Sequence, residues 1–90
     1  MFYVVSYDIS DDKRRNRVGN VLLDFGKRVQ YSVFECILDD QLLKKMSQKL
    51  CQIISEDDSV RIYTLCAKCE KIVKIIGSGQ VTKEEDVYIL

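Results

Sequence analysis

Two kinds of apolar periodicity alternate along the chain, and this alternation limits the folds that are open to it. Residues 2–8 (FYVVSYD) are rich in β-branched and aromatic side chains, which favours a strand. In the segment that follows, apolar residues recur at spacings of three and four, which is typical of one buried helix face: Val18, Val21, Leu22 and Phe25. A strand followed by such a helix predicts a helix packed on one face of a sheet.

The same alternation continues downstream. Residues 29–38 (VQYSVFECIL) predict a strand run that can divide into two, and residues 60–66 (VRIYTLC) predict another strand. Between them, a second helix has a buried face made of Leu42, Leu43, Met46, Leu50, Ile53 and Ile54. Shorter strand-like runs follow at 71–76 and 86–90. The resulting βαββαβ order with an additional C-terminal strand predicts an α+β, ferredoxin-like sandwich.

Polar residues mark the ends of both predicted helices. Residues 10–12 (SDD) offer a cap for the first helix, and Asp39 or Asp40 offers one for the second, because their side chains accept hydrogen bonds from free backbone N–H groups. Gly26 is expected to stop the first helix by adopting the left-handed conformation.

The length of 90 residues predicts one domain, with a core over residues 1–77 and a C-terminal extension over residues 78–90. A domain of this size buries only about two-thirds of its unfolded surface. The helices cover one face of the sheet, so a second copy of the chain is the simplest cover for the other face. We therefore expect a homodimer in which the extension pairs with the partner protomer.

Composition excludes several classes of site. Histidine is absent, which removes Ser/His and Cys/His nucleophile pairs and the usual nitrogen ligand of zinc. Cys66 and Cys69 form a C-x-x-C that is only half of a zinc site, so ordinary thiols are expected. No signal peptide or long apolar run is visible, which predicts a cytoplasmic protein without a membrane partner.

A basic cluster stands out in a chain whose net charge is zero. Four cations fall in the first turns of the first helix, and two more follow it: Lys13, Arg14, Arg15 and Arg17, then Lys27 and Arg28. Cations at a helix N-terminus are unfavourable by about 0.3–1 kcal/mol each unless they are offset. A phosphate backbone would explain them, since guanidinium groups bind phosphates bidentately. The alternative is a solvated helix face. Tyr31 and Phe34 either stack on nucleic-acid bases or pack in the core.

Asp8 ends the first strand and is the candidate metal ligand. A carboxylate there can bind Mg²⁺, or Mn²⁺ in its place, because Mg²⁺ often takes only one or two protein carboxylates. Two copies that meet across a twofold axis would let two Asp8 groups flank one ion. The alternative is that Asp8 supports the following turn through local hydrogen bonds.

Three segments together carry a resemblance to a known family. They are YDIS (residues 7–10), DDKRRNRV (residues 11–18) and RVQYSVFE (residues 28–35). With these segments the chain resembles the small CRISPR-associated endoribonuclease family, CRISPR-associated protein two, which is the minor subunit of the spacer-acquisition machinery. The resemblance covers nearly the whole chain in length and element order, and it weakens after about residue 55.

The resemblance implies a ferredoxin-like homodimer that acts in antiviral defence. It implies a Mg²⁺-dependent endonuclease for single-stranded RNA or double-stranded DNA, with Asp8 matching the family's metal-binding aspartate. Positions tied to activity in some members are matched by Tyr7, Arg15, Arg17, Arg28 and Phe34. One carboxylate per protomer is a sparse site, so slow or vestigial chemistry is expected.

Two other functions remain open at this point. In the first, which the resemblance also implies, the dimer is a non-catalytic adaptor that bridges two dimers of the CRISPR integrase subunit and holds incoming DNA. Its acidic segment, residues 84–86 (EED), would then be a docking element. In the second, the chain is a toxin-like RNA interferase related to virulence-associated protein D.

Overall fold

The computed structural model describes residues 1–65. Its elements follow the order β1 (Phe2–Asp8), α1 (Asp12–Leu23), β2 (Lys27–Gln30), β3 (Val33–Ile37), α2 (Asp40–Cys51) and β4 (Ser59–Leu65). The strands form one sheet in the order β2-β3-β1-β4, and each neighbouring pair is antiparallel. The predicted βαββαβ arrangement is therefore confirmed, and the strand run predicted over residues 29–38 is two strands joined by a short turn.

One face of the sheet is covered by both helices. On β1, Tyr3, Val5 and Tyr7 point into this covered face and are buried. The remaining core comes from β3, the two helices and the segments that flank them: Ile9, Val18, Leu22, Phe25, Phe34, Cys36, Leu38, Leu42, Met46 and Leu50. The apolar stripes predicted for the two helices are thus the residues that pack on the sheet.

The opposite face, which we call the open face, carries the alternate residues of the same strands. Side chains alternate along a strand, so Val4, Ser6 and Asp8 point to this face, and their exposure rises from half-buried to exposed toward Asp8. On β4, the directly opposed partners Ser59 and Arg61 point the same way, because paired residues of antiparallel strands share a face. No helix among residues 1–65 covers this face.

The helices begin where the sequence predicts. The side chain of Asp11 caps α1 by accepting from the Arg14 backbone N–H at 2.9 Å, and that of Asp39 caps α2 by accepting from Leu42 N–H at 2.8 Å. Neither helix among residues 1–65 has the length and apolar character needed to cross a membrane.

Gly26 follows the end of α1, where Asp24 is the C-cap, and glycine is needed there for a different reason from the one expected. Its φ lies outside the left-handed region, so the prediction of a left-handed stop is wrong. A Cβ at this position would lie 2.4 Å from the Sγ of Cys36 and 2.4 Å from the carbonyl oxygen of Glu35. Glycine is required there because the chain leaving α1 passes directly against β3.

Two of the four cysteines lie in the described part of the chain. Cys36 and Cys51 are free thiols, and burial raises the pKa of the Cys36 thiol to about 12, so this thiol stays neutral. The Cys66–Cys69 pair, the predicted strands at 71–76 and 86–90 and the predicted extension at 78–90 lie outside the described residues.

Candidate metal and nucleic-acid site

Asp8 lies at the end of β1 on the open face, with its side chain exposed to solvent. Its cross-strand partner is Ser59, at the start of β4. Among residues 1–65, no hydrogen bond or ion pair engages the Asp8 carboxylate. The turn after β1 is supported by other groups, namely the Asp11 cap and the side chain of Arg15. Within the described chain, the carboxylate therefore remains available for a ligand.

A small open cavity surrounds Asp8 on this face. Its volume is about 220 Å³, and its lining is mostly polar: Ser6, Tyr7, Asp8, Ser59, Arg61 and Tyr63. The guanidinium Nη1 of Arg61 donates to the phenol oxygen of Tyr63 at 3.4 Å. The cavity thus places one carboxylate, the hydroxyl groups of Ser6, Ser59 and Tyr63, and one guanidinium around the same space.

The oxygen atoms in this cavity are of the kind that a hard cation takes. Across residues 1–65, no three His, Cys, Asp or Glu side chains come together to form a metal site. Asp8 is the acidic residue of the cavity, with the hydroxyl groups of Ser6 and Ser59 on the same face. Mg²⁺ is commonly held by one or two carboxylates while it keeps several waters, so this donor set is compatible with it.

Tyr7 and Phe34 lie on the covered face, away from the Asp8 carboxylate. Their ring centroids are 6.2 Å apart and their planes differ by 30°. The Tyr7 hydroxyl donates to the Tyr31 carbonyl oxygen at 3.4 Å. Phe34 is fully buried, whereas the Tyr31 side chain is exposed. Sequence alone left two roles open for Phe34 and Tyr31. Phe34 packs in the core, whereas Tyr31 is exposed and its hydroxyl interacts with Arg15.

Arg28 lies at the border between the core and solvent. Its guanidinium carbon is 5.1 Å from the centroid of the Phe34 ring, which is within cation–π range. Gly19 of α1 makes room for it, because a Cβ there would lie 2.7 Å from the Arg28 Nη2. The same Cβ would lie 3.4 Å from the Tyr7 hydroxyl. Tyr7, Phe34 and Arg28 therefore form one packed group. In the sequence, only the family resemblance linked these three residues.

Arg14 has a partner that was not predicted from the sequence. Its Nε is 2.8 Å from Oδ2 of Asp58 and its Nη2 is 3.3 Å from Oδ1, while the Asp58 side chain is only 1% exposed. The Arg14 guanidinium, helped by the Ser55 backbone N–H, lowers the pKa of the Asp58 carboxyl. This pair fastens the first turn of α1 to the loop between α2 and β4, which explains one cation at the helix N-terminus without any phosphate.

Arg15 is also occupied within the chain. Its Nη1 donates to the carbonyl oxygens of Ile9 at 3.1 Å and Ser10 at 3.4 Å, and its Nη2 pairs with Asp12. Arg17 differs, since its side chain is exposed and has no carboxylate partner among residues 1–65. Lys13 is exposed on the same helix.

The predicted site residues thus fall into separate groups. Asp8 lies on the open face, the Tyr7, Phe34 and Arg28 group lies on the covered side, and Arg14 and Arg15 brace α1. Within residues 1–65, no hydrogen bond or ion pair joins Asp8 to any arginine. The roles assigned to these residues, and to Lys13 and Arg17, stay predictions.

Four residues that line the cavity were not predicted from the sequence: Ser6, Ser59, Arg61 and Tyr63. Arg61 and Tyr63 lie on β4 with Ser59, at every second position, so that they share the open face. Their period-two spacing was visible in the sequence. Their pairing with β1, opposite Ser6 and Val4, was not visible, because it depends on strand register between segments more than fifty positions apart in sequence.

Comparison with known proteins gives a family. The family model described as CRISPR associated protein Cas2 matches residues 1–73. A CRISPR-associated endoribonuclease Cas2 from Chloroflexus aurantiacus is 43% identical over 93 residues, covering 100% of both chains. The crystal structure of Streptococcus pyogenes Cas2 gives a TM-score of 0.76 at 35% identity, over 86% of this chain and 100% of that chain. A chain of a partial Cas6-RT-Cas1–Cas2 complex gives 0.66 at 31% identity, over 83% of this chain and 89% of that chain.

Proposed function

The chain belongs to the Cas2 family of CRISPR-associated proteins, and on that basis we propose that it is a metal-dependent endonuclease whose cation is held by Asp8. One observation supports this function most strongly. The Asp8 carboxylate is exposed at the edge of a polar cavity and is unpaired among residues 1–65. The Chloroflexus aurantiacus relative is named an endoribonuclease, which favours a ribonucleic substrate over DNA for this chain.

The side chains around the cavity fit a hard cation, because they offer oxygen donors: the Asp8 carboxylate and the hydroxyl groups of Ser6 and Ser59. A bound Mg²⁺, or Mn²⁺ in its place, supplies Lewis-acid polarisation of a phosphoryl oxygen and a water of lowered pKa. Asp8 would hold and orient the cation. Arg17 would hold a neighbouring phosphate, since its guanidinium is exposed and can bind phosphate oxygens bidentately.

The experiment is a cleavage assay with labelled single-stranded RNA and double-stranded DNA, with Mg²⁺ or with a chelator. Wild-type protein should cleave only with the metal, and Asp8→Asn should lower the rate at least about 100-fold, as expected for loss of several kcal/mol of metal-assisted stabilisation. Asp24→Asn, the same change at an exposed carboxylate at the end of α1, is the matched control. Equal cleavage by Asp8→Asn and wild type would assign the activity to a contaminating nuclease.

We propose further that the chain forms a homodimer through the open face. Val4 and Ile37 are half-buried apolar side chains on this face, and a second copy would bury them. Val4 is the cross-strand partner of Tyr63, which lines the cavity, so a second copy bound there would lie beside the cavity. Sedimentation should give a dimer for wild type and a monomer for Val4→Glu. A monomeric wild type would contradict this assembly.

A non-catalytic adaptor in spacer acquisition is the second candidate. It is supported by Arg17 and Arg28, which are exposed and have no carboxylate partner among residues 1–65, so they can hold nucleic acid without cleavage. A similar chain occurs in a complex with Cas1, which makes a Cas1-type integrase the proposed partner. In a spacer-integration assay, Asp8→Asn should then match wild type while Arg17→Gln combined with Arg28→Gln loses activity. Loss of integration with Asp8→Asn would favour the nuclease.

A further inference from the structure

The open face holds a second charged group beside Asp8. Register places Ser59 directly opposite Asp8 and Arg61 directly opposite Ser6, so Arg61 is the diagonal neighbour of Asp8 on one face. Diagonal neighbours on paired strands lie about 7–8 Å apart, which is within the reach of a long side chain. Arg61 is therefore close enough to act on a ligand that is bound at Asp8.

Arg61 does not form an ion pair with Asp8. Within residues 1–65 its guanidinium has no carboxylate partner, and its Nη1 donates instead to the Tyr63 phenol oxygen at 3.4 Å. An arginine side chain stays positively charged at all ordinary pH values, and the hydrogen bond to Tyr63 raises the pKa of Arg61 further. Arg14 and Arg15 differ from Arg61, because each forms an ion pair with a carboxylate, Asp58 and Asp12 respectively.

The space between the two groups is large enough for a substrate group. The cavity volume of about 220 Å³ far exceeds the about 10–15 Å³ that one water molecule requires. A carboxylate lies on one side, and on the other lies a guanidinium with no carboxylate partner among residues 1–65. This pair suits a phosphate whose oxygens face a cation at Asp8 and the guanidinium of Arg61.

We propose that Arg61 is a phosphate-binding residue of the Asp8 cavity, and that Tyr63 is a positioning residue that holds its guanidinium. The ligand is a phosphate of a nucleic-acid backbone. This inference rests on the proposed function, because it assigns the substrate side of the same cavity. Arg61 lies on β4, whereas the site residues predicted from the sequence lie on β1, on α1 and in the segment around Arg28.

The test measures binding of a fluorescent single-stranded RNA in the presence of a chelator, so that it does not depend on cleavage. Arg61→Gln should weaken binding about tenfold at low salt, as expected for loss of a charge-assisted contact. It should also make the slope of log K against log salt less negative by about 0.7, the value for one phosphate contact on a single strand. Arg61→Lys should restore the slope but only part of the affinity, because lysine keeps the charge and loses the bidentate geometry.

Two further variants separate the roles. Tyr63→Phe removes only the phenol hydroxyl, so it should leave the salt slope unchanged while affinity falls about two- to threefold, the loss of one neutral hydrogen bond. Lys45→Gln removes a charge from exposed α2, on the other side of the sheet, and should bind RNA as wild type does. Circular dichroism and sedimentation check that each variant keeps its fold and assembly.

The outcomes distinguish this inference from the proposed function. Arg61→Gln with the affinity and salt slope of wild type overturns the phosphate site, whatever the cleavage assay gives. Normal cleavage by Asp8→Asn together with a changed slope in Arg61→Gln overturns the metal nuclease and leaves the phosphate site standing.

Discussion

The two faces of the sheet use their side chains in different ways. On the covered face, Tyr7 and Phe34 are buried, their rings are in contact, and the Tyr7 hydroxyl has a partner. On the open face, Asp8 and Arg61 are exposed, and no ion pair among residues 1–65 joins them to each other or to anything else. Strand β1 supplies one member of each set, Tyr7 and Asp8. Packing thus explains the covered side chains, whereas the open ones are accessible to solvent and to a ligand.

The largest expected difference between the faces is in stability. Phe34→Ala removes a fully buried ring and its contacts with Tyr7 and Arg28, so it should lower the free energy of unfolding by about 3–5 kcal/mol. The matched truncation on the open face, Tyr63→Ala, should cost less than about 1 kcal/mol. Urea unfolding measures both. Comparable losses in the two variants would break the distinction between the faces.

A smaller effect concerns the Arg14–Asp58 pair and its dependence on pH. The pKa of Asp58 in the folded protein lies below its ordinary value of 3.8, so the folded state binds fewer protons than the unfolded state in this range. Its contribution to stability is therefore full above about pH 4 and is lost as the pH falls through the folded-state pKa. Asp58→Asn should be less stable than wild type at pH 7, with the difference shrinking below pH 4.

Urea midpoints at several pH values would test this. A constant difference between wild type and Asp58→Asn from pH 7 to pH 2.5 would show that the carboxylate charge is irrelevant there. Asp57→Asn, a neighbouring exposed position, is the matched control and should follow wild type throughout.

The smallest effect separates two arginines of the same helix. Arg17→Gln should leave stability within about 0.5 kcal/mol of wild type, since its side chain is exposed and has no carboxylate partner in the described chain. It should still make the slope of log K against log salt for RNA binding less negative, by the amount expected for about one phosphate contact. Arg14→Gln should do the reverse, lowering stability with little change in the salt slope. Equal changes in stability and in salt slope for the two variants would contradict the different roles assigned to Arg14 and Arg17.

The fold was largely predictable because its signals are local. Strand-like β1 and the apolar stripes of the helices follow from spacing within each segment, and Asp11 and Asp39 cap helices by bonding to residues three positions on. Asp8 was recognisable as a strand-end carboxylate for the same reason. What makes it a candidate ligand, its lack of a partner among residues 1–65, appears only in three dimensions.

The errors and omissions concern contacts between distant segments. Arg14 and Asp58 are 44 positions apart, so the sequence could not show that one cation of the basic cluster is already paired. The sequence predicted Gly26 as a left-handed helix stop. Glycine is needed there instead because an added Cβ would lie 2.4 Å from atoms of Glu35 and Cys36 on β3. Arg61 is a diagonal neighbour of Asp8 only because of the register of β4 on β1.

The central claim is that Asp8 on the open face holds a divalent cation, and direct metal binding tests it. Mn²⁺ titration followed by electron paramagnetic resonance measures this without any substrate. Wild type and the control Asp24→Asn should bind Mn²⁺ with the same dissociation constant, and Asp8→Asn should bind at least about tenfold more weakly, as expected when the carboxylate ligand is lost. A dissociation constant for Asp8→Asn equal to that of wild type would contradict the account.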